Sequence, residues 1–259
     1  MNYKDSVIIT SVSRSLDILQ YLHKKKTETS LTEIASDLGL YKSTVFRMLS
    51  TLEAKGFVEQ NKETGKYALG IKLFIIGASL NNHWELIKFI KPFTHQLNKT
   101  FNETVNVSIL SKNADHLYQS AIIYQETSVR AVSANSGISV GAYRDCYCCA
   151  VGKCLLAFSE NVDLSAYTDA SFKKATEKTI SSVSMLNDDL KKIKQQGYAI
   201  DDEEGEKDLF CIGIPIISGD VAIAAMSLSG PKNRMKDDTL PEKIEYMLGL
   251  KREIAHALT

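Results

Sequence analysis

The stretch Ser30–Leu69, SLTEIASDLGLYKSTVFRMLSTLEAKGFVEQNKETGKYAL, decides the fold of the N-terminal part of the chain. Ser30 and Glu33 have the Ser-x-x-Glu spacing of a capping box, in which each side chain bonds a free amide at the other position. The apolar residues that follow recur at the spacing of one helix face: Leu31, Ile34, Ala35 and Leu38. Gly39 then suits the positive φ that ends such a helix. These signals predict a short helix followed at once by a tight turn.

A second helix, a hairpin and an earlier helix complete the pattern. Lys42–Lys55 has apolar residues every three or four positions, which predicts a helix. Two short runs, Phe57–Gln60 and Lys66–Leu69, flank a polar turn that contains glycine, as in a β-hairpin. A helix from Val12 to about Lys24 precedes them. Two helices joined by a tight turn and followed by a hairpin predict a winged helix-turn-helix, whose second helix enters the major groove of DNA.

The residues at the start of this second helix suit contact with DNA, because a helix end that enters the groove needs small polar or basic side chains. Arg47 can pair bidentately with a guanine edge, and Ser43 and Thr44 can bind phosphates. The predicted DNA contacts come from this helix, the wing and the first helix: Lys42, Ser43, Thr44, Arg47, Lys62, Lys66 and Arg14. Two alternatives stay open: a small domain with an ordinary solvated surface, and a winged helix that binds protein.

Composition and charge are those of a globular protein without an overall nucleic-acid signature. Apolar residues make up 44% of the 259-residue chain and charged residues 24%, and the formal net charge is zero. The charge is +3 up to His83 and −3 beyond it. No apolar stretch is long enough to span a bilayer, and the first ten residues lack an apolar signal core. We therefore expect a cytoplasmic protein with no membrane partner.

The segment after the hairpin predicts a linker. Ile71–Leu80 is apolar almost all round, which predicts a helix buried on several sides. Because a small domain has no room for such a helix inside its own core, the segment suggests a contact between two copies of the chain. We expect domain boundaries of 1–70 for the winged helix-turn-helix, 71–83 for the linker helix and 84–259 for a second domain.

The rest of the chain mixes helices with strands joined by hairpins. A helix from Glu85 to about Phe101 precedes three strand-like runs, Thr104–Leu110, Leu117–Tyr124 and Val129–Ala134. Further helices and strands follow at Ala150–Ala157, Asp188–Gln196, Phe210–Ile217, Val221–Ser229 and the C-terminus. Such an order predicts an α+β fold with an antiparallel sheet.

Several motifs resemble the IclR family, the isocitrate lyase regulators of bacteria. Ser11–Leu19 resembles the opening helix of the family. Three further stretches are similar to its winged helix: Leu31–Ala35, Lys42–Leu49 and Gly56–Gln60. Four stretches are similar to its effector domain: Ala150–Ala157, Gly197–Glu204, Cys211–Ile216 and Ser227–Pro231. These motifs follow one another in the family's order over nearly the whole chain, which is far more specific than one helix-turn-helix.

The resemblance implies a GAF-like effector-binding domain, assembly into homodimers or dimers of dimers, and control of operator affinity by a small organic acid or sugar acid. We therefore expect a DNA-binding transcriptional repressor without a cofactor. The effector-binding positions carried over from the family are Ala150, Val151, Asp201, Cys211, Ser227 and Ser229. A simpler interpretation also stays open, because Ser227 and Ser229 alternate with apolar neighbours as in any half-buried strand, and Asp201 can begin a solvated turn.

Five cysteines, Cys146, Cys148, Cys149, Cys154 and Cys211, suggest an alternative. Thiolates at short spacing can bind zinc or sense oxidants, so the chain can also be a metal- or redox-responsive regulator. Against this, the sequence has no paired Cys-x-x-Cys at zinc-finger spacing, and cysteine is often a small buried apolar residue. We expect no enzyme, because the sequence has no phosphate-binding glycine loop, metalloprotease histidine pair or nucleophile elbow.

Overall fold

The computed structural model describes residues 8–79, 81–130 and 139–258. The chain divides into two compact units, Met1–Trp84 and Glu85–Thr259. The second unit begins at Glu85, one residue after the predicted start of the second domain at residue 84. Within the described ranges, no helix is both long and apolar enough to cross a membrane.

The N-terminal unit contains three helices, a hairpin and a fourth helix. In chain order these are α1 (Thr10–Lys25), α2 (Leu31–Asp37), α3 (Lys42–Ala54), β1 (Val58–Gln60), β2 (Tyr67–Leu69) and α4 (Lys72–Ala78). Ser30 caps α2 by accepting a hydrogen bond from the backbone N–H of Glu33 at 3.2 Å. Gly39 has a φ of +63° at the turn into α3. The predicted winged helix-turn-helix is confirmed.

One buried cluster holds these elements together. Every element from α1 to β2 contributes to it: Ile18, Leu22, Ile34, Ala35, Val45, Leu49, Val58 and Tyr67. The strands of the hairpin pair antiparallel, with Val58 opposite Leu69 and Gln60 opposite Tyr67. Because Val45 and Leu49 face this core, the opposite side of α3 is left to solvent.

The helix after the hairpin differs from its prediction. Instead of being buried on several sides, α4 has no buried residue within the described part of the chain. Three of its apolar side chains and that of the preceding residue are between 47% and 68% exposed: Ile71, Phe74, Ile75 and Ile76. The core of the unit is formed without α4, so its apolar surface stays uncovered in the single chain. Contact with a second copy stays a prediction, and Leu80 lies outside the described residues.

The C-terminal unit is built on a six-stranded antiparallel sheet. Its strands are β3 (Thr104–Lys112), β4 (Tyr118–Glu126), β5 (Tyr143–Asp145), β6 (Ala199–Asp202), β7 (Leu209–Ser218) and β8 (Val221–Pro231). Their order in the sheet is β5-β4-β3-β8-β7-β6. The helices are α5 (Asn81–Phe101), α6 (Ala150–Phe158), α7 (Val183–Gln196), α8 (Lys232–Met235) and α9 (Leu240–Ala257). The predicted α+β class with an antiparallel sheet is confirmed.

Helices cover both faces of this sheet. Ile90 and Leu97 of α5 and Met247 and Ile254 of α9 pack on one face with apolar residues of β3, β7 and β8. Cys154 and Leu155 of α6 and Ile193 of α7 pack in a second cluster with residues of β6, β7 and β8. Because both faces are covered, β7 is buried from Leu209 to Ile216.

Two predictions about this unit need correction, and two of its strands were not predicted. Val129 and Arg130 lie in a loop and not in a strand, and residues 131–134 of that predicted strand lie outside the described residues. Two short strands, β5 and β6, were not predicted from the sequence; they pair with β4 and β7 at the two edges of the sheet. Helix α7 begins at Val183, five residues before its predicted start, because Ser182 accepts a capping hydrogen bond from the backbone N–H of Met185.

Candidate functional site

The recognition helix α3 presents a polar face to solvent. Lys42, Ser43 and Arg47 are exposed, and Thr44 is half-buried beside the core residue Val45. In the described structure, no side-chain hydrogen bond caps α3 at its first turn. The first backbone N–H groups of the helix are therefore available to an anion such as a DNA phosphate.

The wing holds its two predicted lysines on an ordered turn. Lys62 and Lys66 are exposed, and the turn between them is shaped by Asn61, whose side-chain oxygen accepts hydrogen bonds from two following backbone N–H groups at 2.9 and 3.2 Å. Glu28 anchors the wing by accepting hydrogen bonds from Asn61 Nδ2 at 2.8 Å and Thr64 Oγ1 at 3.0 Å. These two hydrogen bonds, with a smaller contribution from the charge of Lys66, lower the pKa of Glu28.

Arg14 is exposed on α1 and lies with Arg47 along one groove between α1 and α3. Three apolar side chains that are more than half exposed also line this groove: Val12, Leu16 and Phe46. The structure thus brings Arg14 to two of the predicted contacts of α3, Thr44 and Arg47. The other predicted contacts do not line this groove: Lys42 and Ser43 at the start of α3, and Lys62 and Lys66 on the hairpin.

All six predicted effector positions line one small cavity in the C-terminal unit. The cavity measures about 40 Å³, and each of the six residues is less than 8% exposed. Strand register explains how distant stretches meet there: Asp201 on β6 is opposite Cys211 on β7, and Cys211 is opposite Ser229 on β8. Residues directly opposite on antiparallel strands share a face, so these three side chains form a row across the sheet.

The start of α6 packs closely against β7 and against the residues that precede the helix, because two glycines allow close approach. A Cβ on Gly213 of β7 would lie 2.8 Å from the carbonyl carbon of Ala150, and a Cβ on Gly152 would lie 2.4 Å from the Cα of Cys146. Ala150 and Val151, the first residues of α6, line the cavity. Within the described chain no side-chain hydrogen bond caps α6 either. Because its first two residues line the cavity, the positive end of the helix lies at the cavity wall.

Polar groups on the cavity wall suit a ligand with both anionic and hydroxyl groups. Ser227 Oγ and Ser229 Oγ lie 3.1 Å apart. The Asp201 carboxylate accepts a hydrogen bond from the backbone N–H of Glu204 at 2.8 Å, but burial still raises the pKa of Asp201 to about 6. Hydroxyls can donate to one partner while accepting from another, so this wall can hold the hydroxyl or carboxylate oxygens of a small acid.

Two family models match the chain in the order of its two units. The model described as the IclR helix-turn-helix domain matches residues 11–62, and the model described as bacterial transcriptional regulator IclR C-terminal matches residues 78–256. The chain belongs to the IclR family. It is therefore a DNA-binding transcriptional regulator with a C-terminal effector-binding domain, and the resemblance seen in the sequence is confirmed.

Curated relatives and solved structures agree with this assignment. The chain is 30% identical to the transcriptional regulator KdgR of Escherichia coli, over 95% of this chain and 92% of that protein. It is 31% identical to the acetate operon repressor of Salmonella typhimurium, over 96% and 90% respectively. The crystal structure of Thermotoga maritima IclR covers 96% of this chain and 97% of that one, with 26% identity and a TM-score of 0.71. An IclR homolog from Microbacterium hydrocarbonoxydans, complexed with 4-hydroxybenzoate, has a TM-score of 0.76 at 19% identity, over 96% and 98% respectively.

Several cavity residues of this IclR-family regulator were missed by the sequence analysis: Asn106, Ser108, Ser120, Arg144, Cys148, Cys149 and Gly205. One signal for Asn106 and Ser108 was available, because polar residues alternate along β3 as they do along β8, and Asn106 is opposite Ser227. Arg144 gave no such signal, since it lies on the three-residue edge strand β5.

Ser108 stands out among the missed residues. Its side chain is wholly buried, and its Oγ has no hydrogen-bond partner among the residues that the structure describes. A buried polar atom without a partner costs stability, and such atoms often mark the place of a ligand. Since Ser108 lines the cavity, a ligand there can supply the missing partner.

The five cysteines lie in surroundings that disfavour thiolates. Burial raises the pKa of all five thiols, to about 11 for Cys149 and about 12 for Cys154. Redox sensors and zinc ligands need thiolates, which low-pKa sites provide. Among the described residues, no group of three or more His, Cys, Asp or Glu side chains is placed to hold a metal ion. No observation here favours the metal- or redox-responsive alternative.

Proposed function

We propose that this IclR-family regulator is a cytoplasmic homodimeric repressor whose affinity for its operator is set by a small organic acid or sugar acid bound in the cavity beside α6. The observation that carries this proposal is the convergence of six buried residues, from four separate stretches of sequence, on one cavity below the start of a helix. A helix N-terminus attracts anions, the serine hydroxyls opposite it can donate to carboxylate oxygens, and the Asp201 carboxylate can accept from a ligand hydroxyl.

For the operator, α3 enters the major groove and Arg47 contacts a base edge. Lys42, Ser43, Thr44 and Arg14 contact phosphates next to it, and Lys62 and Lys66 of the wing contact the backbone farther out. The exposed apolar surface of α4 supports assembly of two copies of the chain. A dimer that carries two recognition helices needs two operator half-sites whose centres lie about one turn of the double helix apart, or a multiple of one turn. Effector binding changes the affinity only to the extent that the acid binds the DNA-bound and free states differently.

The test is binding of the purified full-length protein to labelled duplexes from the regions upstream of its own and neighbouring genes, followed by fluorescence anisotropy. We expect one fragment to bind specifically and an acid from a panel of keto acids, hydroxy acids and sugar acids to weaken that binding. The same acid raises the thermal denaturation temperature, because a ligand that binds only the native state stabilises it.

Arg47→Ala identifies the base contact. Loss of one bidentate contact costs about 1–3 kcal/mol, so operator affinity should fall roughly ten- to hundredfold while the thermal shift produced by the acid stays unchanged. Arg252→Ala, which removes an exposed arginine from α9 in the other unit, is the matched control and should bind DNA like the wild type. Equal operator affinity in the two variants contradicts the assigned role of Arg47. A wild-type protein that binds none of the duplexes at low salt contradicts the proposed function itself.

A further inference from the structure

Arg144 adds a full positive charge to a cavity whose other lining groups are neutral or acidic. It lies on β5 and lines the cavity together with Ser108, Ser120 and Asp201. Among the described residues that line this cavity, Arg144 is the only cation. Its guanidinium Nη2 donates a hydrogen bond to Oε2 of Glu206 at 3.2 Å, and Glu206 itself is not part of the cavity wall.

We propose that Arg144 is the counter-ion of the effector's carboxylate in this protein, and that Glu206 is a built-in competitor which holds Arg144 until an acid replaces it. This inference rests on the proposed function, since it assumes that an acid occupies the cavity. It goes beyond the positions carried over from the family, because neither residue is among them, and it restricts the effector to anions.

The geometry favours exchange of one carboxylate for another. The side chains of Arg144 and Glu206 are 29% and 35% exposed, and ion pairs at such partly solvated positions contribute little to stability. A guanidinium can bind a carboxylate through two parallel N–H groups, whereas Glu206 accepts one hydrogen bond from it. A ligand carboxylate inside the cavity is more shielded from water than Glu206 and therefore interacts more strongly with the same charge.

Two further observations locate the acid next to Arg144. Ser120 is the cross-strand partner of Arg144, and its Oγ lies 3.4 Å from the Sγ of Cys149, the residue before α6. The buried Oγ of Ser108, which has no partner in the described structure, belongs to the same wall. A guanidinium, the start of a helix and an unpaired hydroxyl therefore converge on one small volume, and all three suit an anionic oxygen.

Removing the two ends of the Arg144–Glu206 pair separately tests this proposal, because the two changes are expected to act in opposite directions. Arg144→Met removes the counter-ion, so the half-saturating concentration of an acid should rise at least tenfold. Glu206→Gln removes only the competitor, so the same concentration should fall several-fold. Arg144→Lys keeps the positive charge but cannot bind a carboxylate through two parallel N–H groups. Its half-saturating concentration of the acid should therefore lie between those of the wild type and Arg144→Met. Arg252→Met, on α9, should bind like the wild type.

The probes are lactate, malate and gluconate, each titrated calorimetrically into the full-length variants, with lactamide and glucitol as uncharged counterparts. We expect Arg144→Met to abolish the preference of the protein for the acids over the uncharged compounds. A purely structural ion pair predicts the opposite pattern: both variants lower the thermal denaturation temperature and weaken binding together, which overturns the proposal. If an acid binds the wild type and Arg144→Met equally well, this inference fails while the proposed function stands. If no acid from the whole panel of keto acids, hydroxy acids and sugar acids binds the wild type, this inference and the acid effector of the proposed function both fail.

Discussion

The starts of α3 and α6 carry related chemistry in opposite environments. In the described structure neither helix has a side-chain cap, and each has hydroxyl groups and an arginine nearby. At α3, Ser43 and Arg47 are exposed. At α6, Ser108 is wholly buried, and Arg144 is about one third exposed.

This difference decides what each helix start can bind. Exposed charges are screened by salt and contribute little individually, so α3 needs a polyanion that makes many contacts at once, as duplex DNA does. Buried dipoles act in a medium of lower polarity and in fixed geometry, so a few of them can select one small anion. The same contrast predicts how strongly each region responds to mutation and to salt.

Glycine substitutions at the two helix starts should differ most in their cost to the free energy of unfolding. At Gly152 of α6, an added Cβ would meet the backbone of Cys146 at 2.4 Å, so Gly152→Ala should destabilise the C-terminal unit by about 3 kcal/mol and abolish acid binding. At Gly39, before α3, nothing lies within 4 Å of the added Cβ, and the strain comes only from its φ of +63°. Gly39→Ala should therefore cost about 1 kcal/mol.

Urea denaturation followed by circular dichroism measures both effects, with calorimetry for the acid and anisotropy for the operator. Similar losses of stability in the two variants would show that α6 is not packed as tightly against its neighbours as the distances indicate. If Gly152→Ala still bound the acid, the start of α6 would not be part of the effector site.

Ser108→Ala should separate ligand affinity from stability. The buried hydroxyl has no partner in the described residues, so its removal should leave the ligand-free protein as stable as the wild type or about 1 kcal/mol more stable. The half-saturating concentration of the acid should nevertheless rise, because the ligand loses a hydrogen bond. Ser111→Ala, on the same strand but outside the cavity wall, is the control and should leave the acid affinity unchanged. A loss of stability without loss of acid affinity contradicts a role for Ser108 in binding.

The sequence predicted the two helix starts to different extents for a physical reason. The winged helix depends on local signals that lie within forty residues: the cap at Ser30, the turn at Gly39 and the apolar period of α3. The cavity depends on strand register, which brings Asp201, Cys211 and Ser229 into one row, and no local pattern encodes that row. The six effector positions were predicted only through the family resemblance. Arg144 was not predicted, because an edge strand of three residues is too short to show an alternation of polar and apolar residues.

The exposed apolar face of α4 shows a second limit of prediction from sequence. Its apolar composition predicts that another surface covers it, but a single sequence does not say which surface that is. Phe74 and Ile75 are 64% and 54% exposed in the single chain, so cover by a second copy of the chain stays a prediction. The sequence pattern shows which residues of a helix are apolar. Which surface packs against them depends on the folded and assembled protein.

The smallest predicted effect of a single residue is on the salt dependence of operator binding. Salt dependence should also distinguish the start of α3 from the start of α6. Lys62→Ala removes one exposed wing charge, so operator affinity should fall only a few-fold, and the slope of log affinity against log salt concentration should shrink by about 1. Lys191→Ala removes another exposed charge, from α7 in the other unit, and should leave the slope unchanged. Acid affinity of the wild type should vary far less with salt than operator affinity, because the walls of the cavity are buried. If the acid affinity instead fell as steeply as the operator affinity, the anion at α6 would be as solvated as the phosphates at α3, and burial would not be what distinguishes the two sites.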